Sequence, residues 1–327
     1  MKKEDNLYIF LHTPKAAGST FRTHIENNFR KKEILPLYKG KDSNLASEKG
    51  VHKYIKSLTK DQKNKIKIIY GHCVFYGIHK FFDKNPIYFT FFREPIAKTV
   101  SSYNFGVTDL KKLNNRKIKE KNKGEIERIK ELKRILTKRG GITPFKEWLI
   151  KSYDISKLPT MKTQTRFLFE RKFLDSPKPN KESIKKCLNK FYLVGTVKSF
   201  KEDTLFLYNL LGIKRFYNNQ NISEKHFVLN EKDNALKNKI LSKNKFDSLL
   251  YSQAILANNS FKKKIKGDLE KLKSTKKRTM KKAISNTLVT IDCLPKLVYG
   301  ISCKLKRHSR TYKKLVDWVK PTPRIDF

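Results

Sequence analysis

The chain has 327 residues, 38% of them hydrophobic, and its 75 Lys+Arg against 30 Asp+Glu give a formal charge of +45. This composition excludes an acidic disordered chain and an integral membrane bundle, leaves enough apolar residues for a real core, and favours a polyanionic partner. Outside particular clusters, the same excess reads equally well as a general lysine-rich bias.

Leu7 to Leu11 is a short, continuously apolar run of β-formers and predicts a buried strand. His12 to Gly18 follows as a loop, and Ser19 to Phe29 predicts a helix with Phe21, Ile25 and Phe29 spaced by four on one face. Ile66–Tyr70 predicts a second strand, ending at Gly71-His72. Pro86–Phe92 predicts a third, and Pro95 suits the first turn of a helix running to about Ser102 or Tyr103. Phe191–Gly195 predicts a fourth strand, followed by a helix from about Phe200 to Leu211. Strands alternating with helices argue for a three-layer α/β fold with a mostly parallel central sheet. Ligands in such sheets sit at the carboxyl ends of the strands, so the loops after these strands matter most.

Residues 111–139 interrupt the alternation and read as a basic amphipathic helical insertion, with Ile126, Ile129, Leu132 and Leu136 on one face. Asn244 to Leu256 predicts a last core helix. The domain is therefore expected over 1–264, and 265–327 as a basic, partly helical C-terminal tail. Cys73, Cys187, Cys293 and Cys303 form no C-x-x-C pair, and no His/Cys cluster has zinc spacing, so no metal is expected and a reducing interior is. The N-terminus lacks the apolar stretch of a signal peptide, and no run reaches the ~20 apolar residues of a membrane helix. A cytoplasmic protein is expected, at most peripheral on the inner face of a membrane.

Two segments carry chemistry. In the first loop, Lys15-Ala16-Ala17-Gly18-Ser19-Thr20 combines small residues, a full positive charge and two hydroxyls just before a helix start. Backbone N–H groups and the helix dipole would then cradle a phosphate or sulfate. The lysine precedes the glycine by three, the reverse of a Walker A loop, which argues against ordinary ATP or GTP hydrolysis. Taken locally, the segment reads as well as a turn in which Ser19 caps the helix. In the second, Arg93 ends a strand and Ser101 lies eight residues on, so guanidinium and hydroxyl can meet on one anion. Alone, an arginine before a helix is more often a surface ion pair.

Together these segments resemble sulfotransferases. Leu11 to Phe21 is similar to their 5′-phosphosulfate loop, and Arg93 to Ser101 to their 3′-phosphate element. Tyr70-Gly71-His72 lies where glycan 2-O-sulfotransferases of the heparan sulfate type carry a Gly-His with the catalytic base. Gln164 to Leu168, Val194 to Thr196 and Asn244 to Tyr251 also match later segments, so the resemblance covers about residues 7 to 260. Three positions depart from the family pattern: Ala16 stands where a Thr is usual, Glu94 for Asp, and Lys198 for Glu.

The resemblance implies a P-loop-like sulfotransferase fold, 3′-phosphoadenosine 5′-phosphosulfate (PAPS) as co-substrate and a carbohydrate hydroxyl as acceptor. Lys15 would neutralise charge on the leaving 5′-phosphate, Ser19, Thr20 and the loop amides would hold it, Arg93 and Ser101 would clamp the 3′-phosphate, and His72 would take the acceptor proton. Gln164 and Arg166 are expected to contact the acceptor, or else to serve as packing and capping residues. His12 is read as a buried strand-end residue. The acceptor is expected to be a carbohydrate, anionic or lipid-linked, with the tail in contact with an anionic membrane; nucleic acid is disfavoured for want of a stacking motif. The rival readings are a nucleotide-dependent kinase on a similar core and a non-enzymatic basic binding module.

Overall fold

A computed structural model describes residues 6–38, 45, 47–114, 123–138, 141–151, 161–213 and 224–265. Apart from Ile265, the expected tail lies outside the described residues, as do 115–122 and 139 of the expected insertion.

Within the described residues a five-stranded sheet has the order β2-β3-β1-β4-β7. Its strands are β1 (Asn6–Leu11), β2 (Ile34–Pro36), β3 (Ile68–Gly71), β4 (Asn85–Phe92) and β7 (Leu193–Thr196), all paired in parallel. β5 (Thr137–Lys138) and β6 (Gly141–Ile142) form a small antiparallel pair elsewhere. β1 is central because alternate side chains can be buried on both faces. Leu7, Ile9 and Leu11 join one core, and Tyr8 and Phe10 the other. The first core is closed by α2 (Glu48–Ser57), α7 (Gln164–Glu170), α8 (Lys181–Leu188) and α11 (Lys245–Lys264). The second is closed by α1 (Gly18–Asn28) and α9 (Phe200–Leu211). This is the expected three-layer α/β architecture.

Register brings the functional loops to one edge. Leu11 stands opposite Gly71 and Thr90, and Phe92 opposite Thr196, so β1, β3, β4 and β7 end together. The chain runs from β1 outward to β2 and β3, then returns to the other side of β1 for β4. The reversal opens a crevice at the β1/β4 strand tips, where ligands of such sheets are held.

Three expectations change. The helix after β4 does not stop near Tyr103: α4 spans Pro95–Asn114. Tyr103, Val107, Leu110 and Leu113 continue its apolar stripe into a third core with α6 (Phe145–Lys151) and α10 (Asn234–Lys243). Gly106 lies within this helix, where a Cβ would meet Met161 Cε at 2.3 Å, so its lack of a side chain lets Met161 pack against the helix. Residues 111–114 therefore belong to α4, and the insertion's helix, α5, is Lys123–Leu136. Its buried stripe is Leu132, Ile135 and Leu136 with Ile129 beside it, whereas Ile126 is exposed. The last helix is longer than expected, because Phe261 packs on Tyr192 and Phe206. The remaining α3 (Lys60–Lys65) is a short surface turn of helix, held by a Thr59/Gln62 capping box.

Candidate active site

The loop after β1 holds its shape by local strain and one buried anchor. Lys15 and Ala17 are left-handed, with φ 64° and 61°. Alternating handedness turns successive N–H groups to one side, forming an anion-binding nest. α1 begins at Gly18 with no side chain capping it, so Ser19 does not play the expected capping role. Thr90, buried in β4, bonds Thr13 Oγ1 at 3.0 Å and the Leu11 carbonyl at 2.9 Å, pinning the loop's base. Ala16 is buried in the core behind the loop, so its backbone and not its methyl belongs to the cradle.

The tip of β4 is built differently. Glu94 accepts hydrogen bonds from Ile96 N at 3.0 Å and Ala97 N at 2.7 Å, so its carboxylate caps α4 from within. Any anion here must rely on side chains such as Arg93 and Ser101 and not on the helix-start amides that Glu94 already occupies. Arg93 is held from behind: its N–H donates to Gln164 Oε1 at 2.9 Å, and Gln164 Nε2 donates to its carbonyl at 2.8 Å. Gln164 is in turn fixed by Asp247, which accepts from Gln164 N at 2.7 Å and from Thr165 N and Oγ1 at 2.8 Å each. Arg93 Nη1 reaches the Lys15 carbonyl at 3.3 Å, and its buried Nε has no hydrogen-bond partner among the described residues.

At the end of β3, Gly71 has φ 145°, and a Cβ on it would stand 2.0 Å from the Leu37 carbonyl oxygen. Only glycine allows that approach, and the resulting turn sends His72 into the crevice. His72 Nδ1–H donates to the His12 carbonyl at 2.6 Å. A carbonyl only accepts, so the proton of the neutral ring sits on Nδ1 and leaves Nε2 as a lone pair.

These three tips share one cavity of about 1330 Å³. Lys15, Ala17, Gly18, Ser19, Thr20, His72, Arg93 and Ser101 all line it. Gln164 does not face it: at 1% exposure, its amide is committed to Arg93, which corrects the expected acceptor contact. Arg166 is exposed, paired with Glu170 at 3.3 Å, and lines a separate groove with Lys162, Phe169 and Phe246.

The cavity also has walls that the short reading of α4 hid. Phe105 lies under Lys15, with Nζ 4.1 Å from the ring centroid. Asn104, one turn beyond Ser101, bonds both the N–H and the C=O of Phe227, at 2.8 and 2.9 Å, holding a strap over the cavity rim. Extending the i, i+3, i+4 face from Ser101 would have found both. On the far wall, buried Asp203 accepts from Thr196 N at 3.0 Å and Ser199 Oγ at 2.6 Å and pairs with Lys262 at 3.1 Å. It fixes the loop after β7, on which Lys198 is exposed at the cavity.

At this site burial outweighs the nearby carboxylates Glu94 and Asp109, and both cations are destabilised. Burial, then Arg93 and Lys98, pulls the Lys15 ammonium down to about 8. Burial lowers the Arg93 guanidinium as well. Burial pushes the His72 imidazole down to about 4, so it is neutral at pH 7. Crowded, desolvated cations around inward N–H groups are relieved by an anion, and perturbed groups in a cleft mark a functional site. The residues present thus fit a ligand that carries anionic groups. Among the described residues, no group of three or more His, Cys, Asp or Glu side chains is placed to hold a metal ion, and no helix is long and apolar enough to cross a membrane.

Comparison with known families gives a match to the model described as "Sulfotransferase family" over residues 1–261, from β1 into the last turns of α11. Comparison with curated proteins gives no match.

Proposed function

Because this chain belongs to the sulfotransferase family, we propose that it moves a sulfuryl group from PAPS to a hydroxyl of a carbohydrate acceptor. The family sets aside the kinase and the non-enzymatic binding module. The observation that carries the finer reading is the joint presence of Lys15, Arg93 and His72 on one cavity. An ammonium and a guanidinium on neighbouring strand tips suit a nucleotide that is anionic at both its 5′ and 3′ positions, which separates this donor from ATP.

When bound, PAPS supplies an activated sulfuryl group for in-line displacement, chemistry close to phosphoryl transfer, in which positioning and charge stabilisation dominate. The N–H groups of the Lys15–Gly18 loop, with Ser19 and Thr20, hold the 5′ end. The Lys15 ammonium offsets the charge that develops on the departing phosphate oxygen. Arg93 and Ser101 grip the 3′-phosphate. His72 Nε2 accepts the proton of the attacking hydroxyl while its Nδ1–H stays on the His12 carbonyl, so the ring keeps one orientation.

Three expectations extend this proposal. The acceptor is anionic or lipid-linked, in keeping with the chain's charge and with Lys198, Lys201 and Lys225 at the cavity. The enzyme works in a reducing cytoplasm, in keeping with a cysteine usage that makes no disulfide scaffold. The 265–327 segment rests on an anionic membrane surface. The test is transfer of label from ³⁵S-PAPS to a panel of neutral and acidic glycans, phenols and peptides. Labelled glycan is expected, and label in phenol or peptide alone would overturn the acceptor class.

A further inference from the structure

Two imidazoles line the cavity, His12 and His72, and the reaction above uses the ring of one. His12 ends at the same strand tip as the cradle. Its N–H donates to the Gly71 carbonyl at 3.2 Å, and its own carbonyl takes the His72 proton. The two rings lie 4.1 Å apart. One edge of the His12 ring is bound: Nδ1 is 2.7 Å from the Tyr38 hydroxyl. The other edge lies against Gly18, so closely that a Cβ there would stand 2.0 Å from Cδ2 and 2.2 Å from Nε2. Gly18 is the first residue of α1, the helix whose uncapped N-terminus completes the cradle.

Burial holds the Tyr38 phenol well above its ordinary range and the His12 imidazole well below its own, so at neutral pH the pair is an O–H and an uncharged ring. The shared proton has two arrangements. If His12 Nδ1 donates to Tyr38, Nε2 turns a lone pair toward the cradle and repels an anion. If Tyr38 donates to Nδ1, the ring proton sits on Nε2 beside Gly18 and offers the cradle one more N–H. The Arg22 guanidinium, 4.8 Å over the Tyr38 ring, favours the phenol as donor.

We propose that His12 is a further binding residue of this site: an uncharged imidazole, its tautomer fixed by the Tyr38 hydroxyl, whose Nε2–H donates to an oxyanion of the donor's 5′ end. It acts beside His72 and does not replace it. The assignment rests on the sulfotransferase reading, and it explains why Gly18 has no room for a side chain. Donors of this kind, preorganised toward developing charge, are worth roughly 10²–10³ in rate where they have been removed.

The test is a two-bond ¹H–¹⁵N spectrum of the full chain with labelled histidines, with and without 3′-phosphoadenosine 5′-phosphate, the His12 signals being assigned through His12→Gln. The expected result is a proton on Nε2 of His12 whose resonance moves when the nucleotide binds. Tyr38→Phe keeps the ring in place; it should mix the two tautomers and lower kcat about tenfold, the worth of one hydrogen bond. A His12 proton on Nδ1 in the complex, or an Nε2–H unmoved while the nucleotide binds, would overturn the assignment. Failure of the wild-type protein to bind the nucleotide at all would instead overturn the donor on which it rests.

Discussion

On the proposed reading, the two strand tips at the cavity would hold anions by different means. At the tip of β1 the backbone does the work: left-handed Lys15 and Ala17 turn N–H groups inward, and the start of α1 is left uncapped. At the tip of β4 the helix start is already occupied by Glu94, and a single guanidinium remains, steadied by Gln164 and, through it, by Asp247. The anion-facing groups of the first end are local in sequence, within a few residues of the strand, although Thr90 of β4 pins the loop's base. The second depends on groups 71 and 83 positions apart in the chain. The 5′ end should therefore answer mainly to changes in its own loop, and the 3′ end to changes far from any ligand.

The largest expected effect is at the first end. Lys15→Ala should lower kcat by roughly 10²–10³, because the charge it offsets appears only as the phosphate departs. Single-turnover rates with saturating donor measure this, and near wild-type turnover would remove Lys15 from the chemistry.

A smaller effect sharpens the same end through pH. The Lys15 ammonium titrates near 8 in the free protein, below the ordinary 10.5, and an anion binds its charged form. Above pH 8 binding must take up a proton, so the nucleotide Kd should rise by up to about tenfold per pH unit. With His72 neutral down to about 4, kcat/KM should be flat from about pH 5 to 7.5 and fall only on the alkaline side. Lys15→Arg should abolish the alkaline rise in Kd; an unchanged rise would place the titrating group elsewhere.

The smallest effect probes the support of the second end. Gln164→Leu leaves the Arg93 N–H and C=O without their amide partner. It should weaken binding of a 3′-phosphorylated nucleotide about tenfold while adenosine 5′-phosphate is held as before, as equilibrium titration would show. Equal losses for both nucleotides would make Gln164 a general packing residue.

This contrast also governs what the sequence discloses. The strands β1, β3, β4 and β7, the Lys15–Thr20 loop, the Arg93-to-Ser101 spacing and the Gly71-His72 turn are legible because each is set by neighbours in the chain, whereas the support behind Arg93 is not. The role of Gln164 is not, since an amide beside Thr165 and Phe167 reads the same whether it faces a ligand or the back of Arg93. The three-residue β2, ending at Pro36, is too short to show a pattern, yet it carries the Leu37 carbonyl that makes Gly71 necessary. Asn104 and Phe105 were hidden by ending α4 early, and Tyr38 by its place in a connection. His12 was visible as a residue, but its partnership with Tyr38, in the connection after β2, was not.

The central claim is that one nucleotide spans both ends, and a crossed titration tests it most directly. Wild type, Lys15→Ala and Arg93→Ala would each be titrated with adenosine 5′-phosphate, adenosine 3′-phosphate and 3′-phosphoadenosine 5′-phosphate. The account predicts that Arg93→Ala loses roughly 10–100-fold only with nucleotides bearing a 3′-phosphate, and that Lys15→Ala loses only with those bearing a 5′-phosphate. Losses of the same size for all three nucleotides in both variants would contradict it.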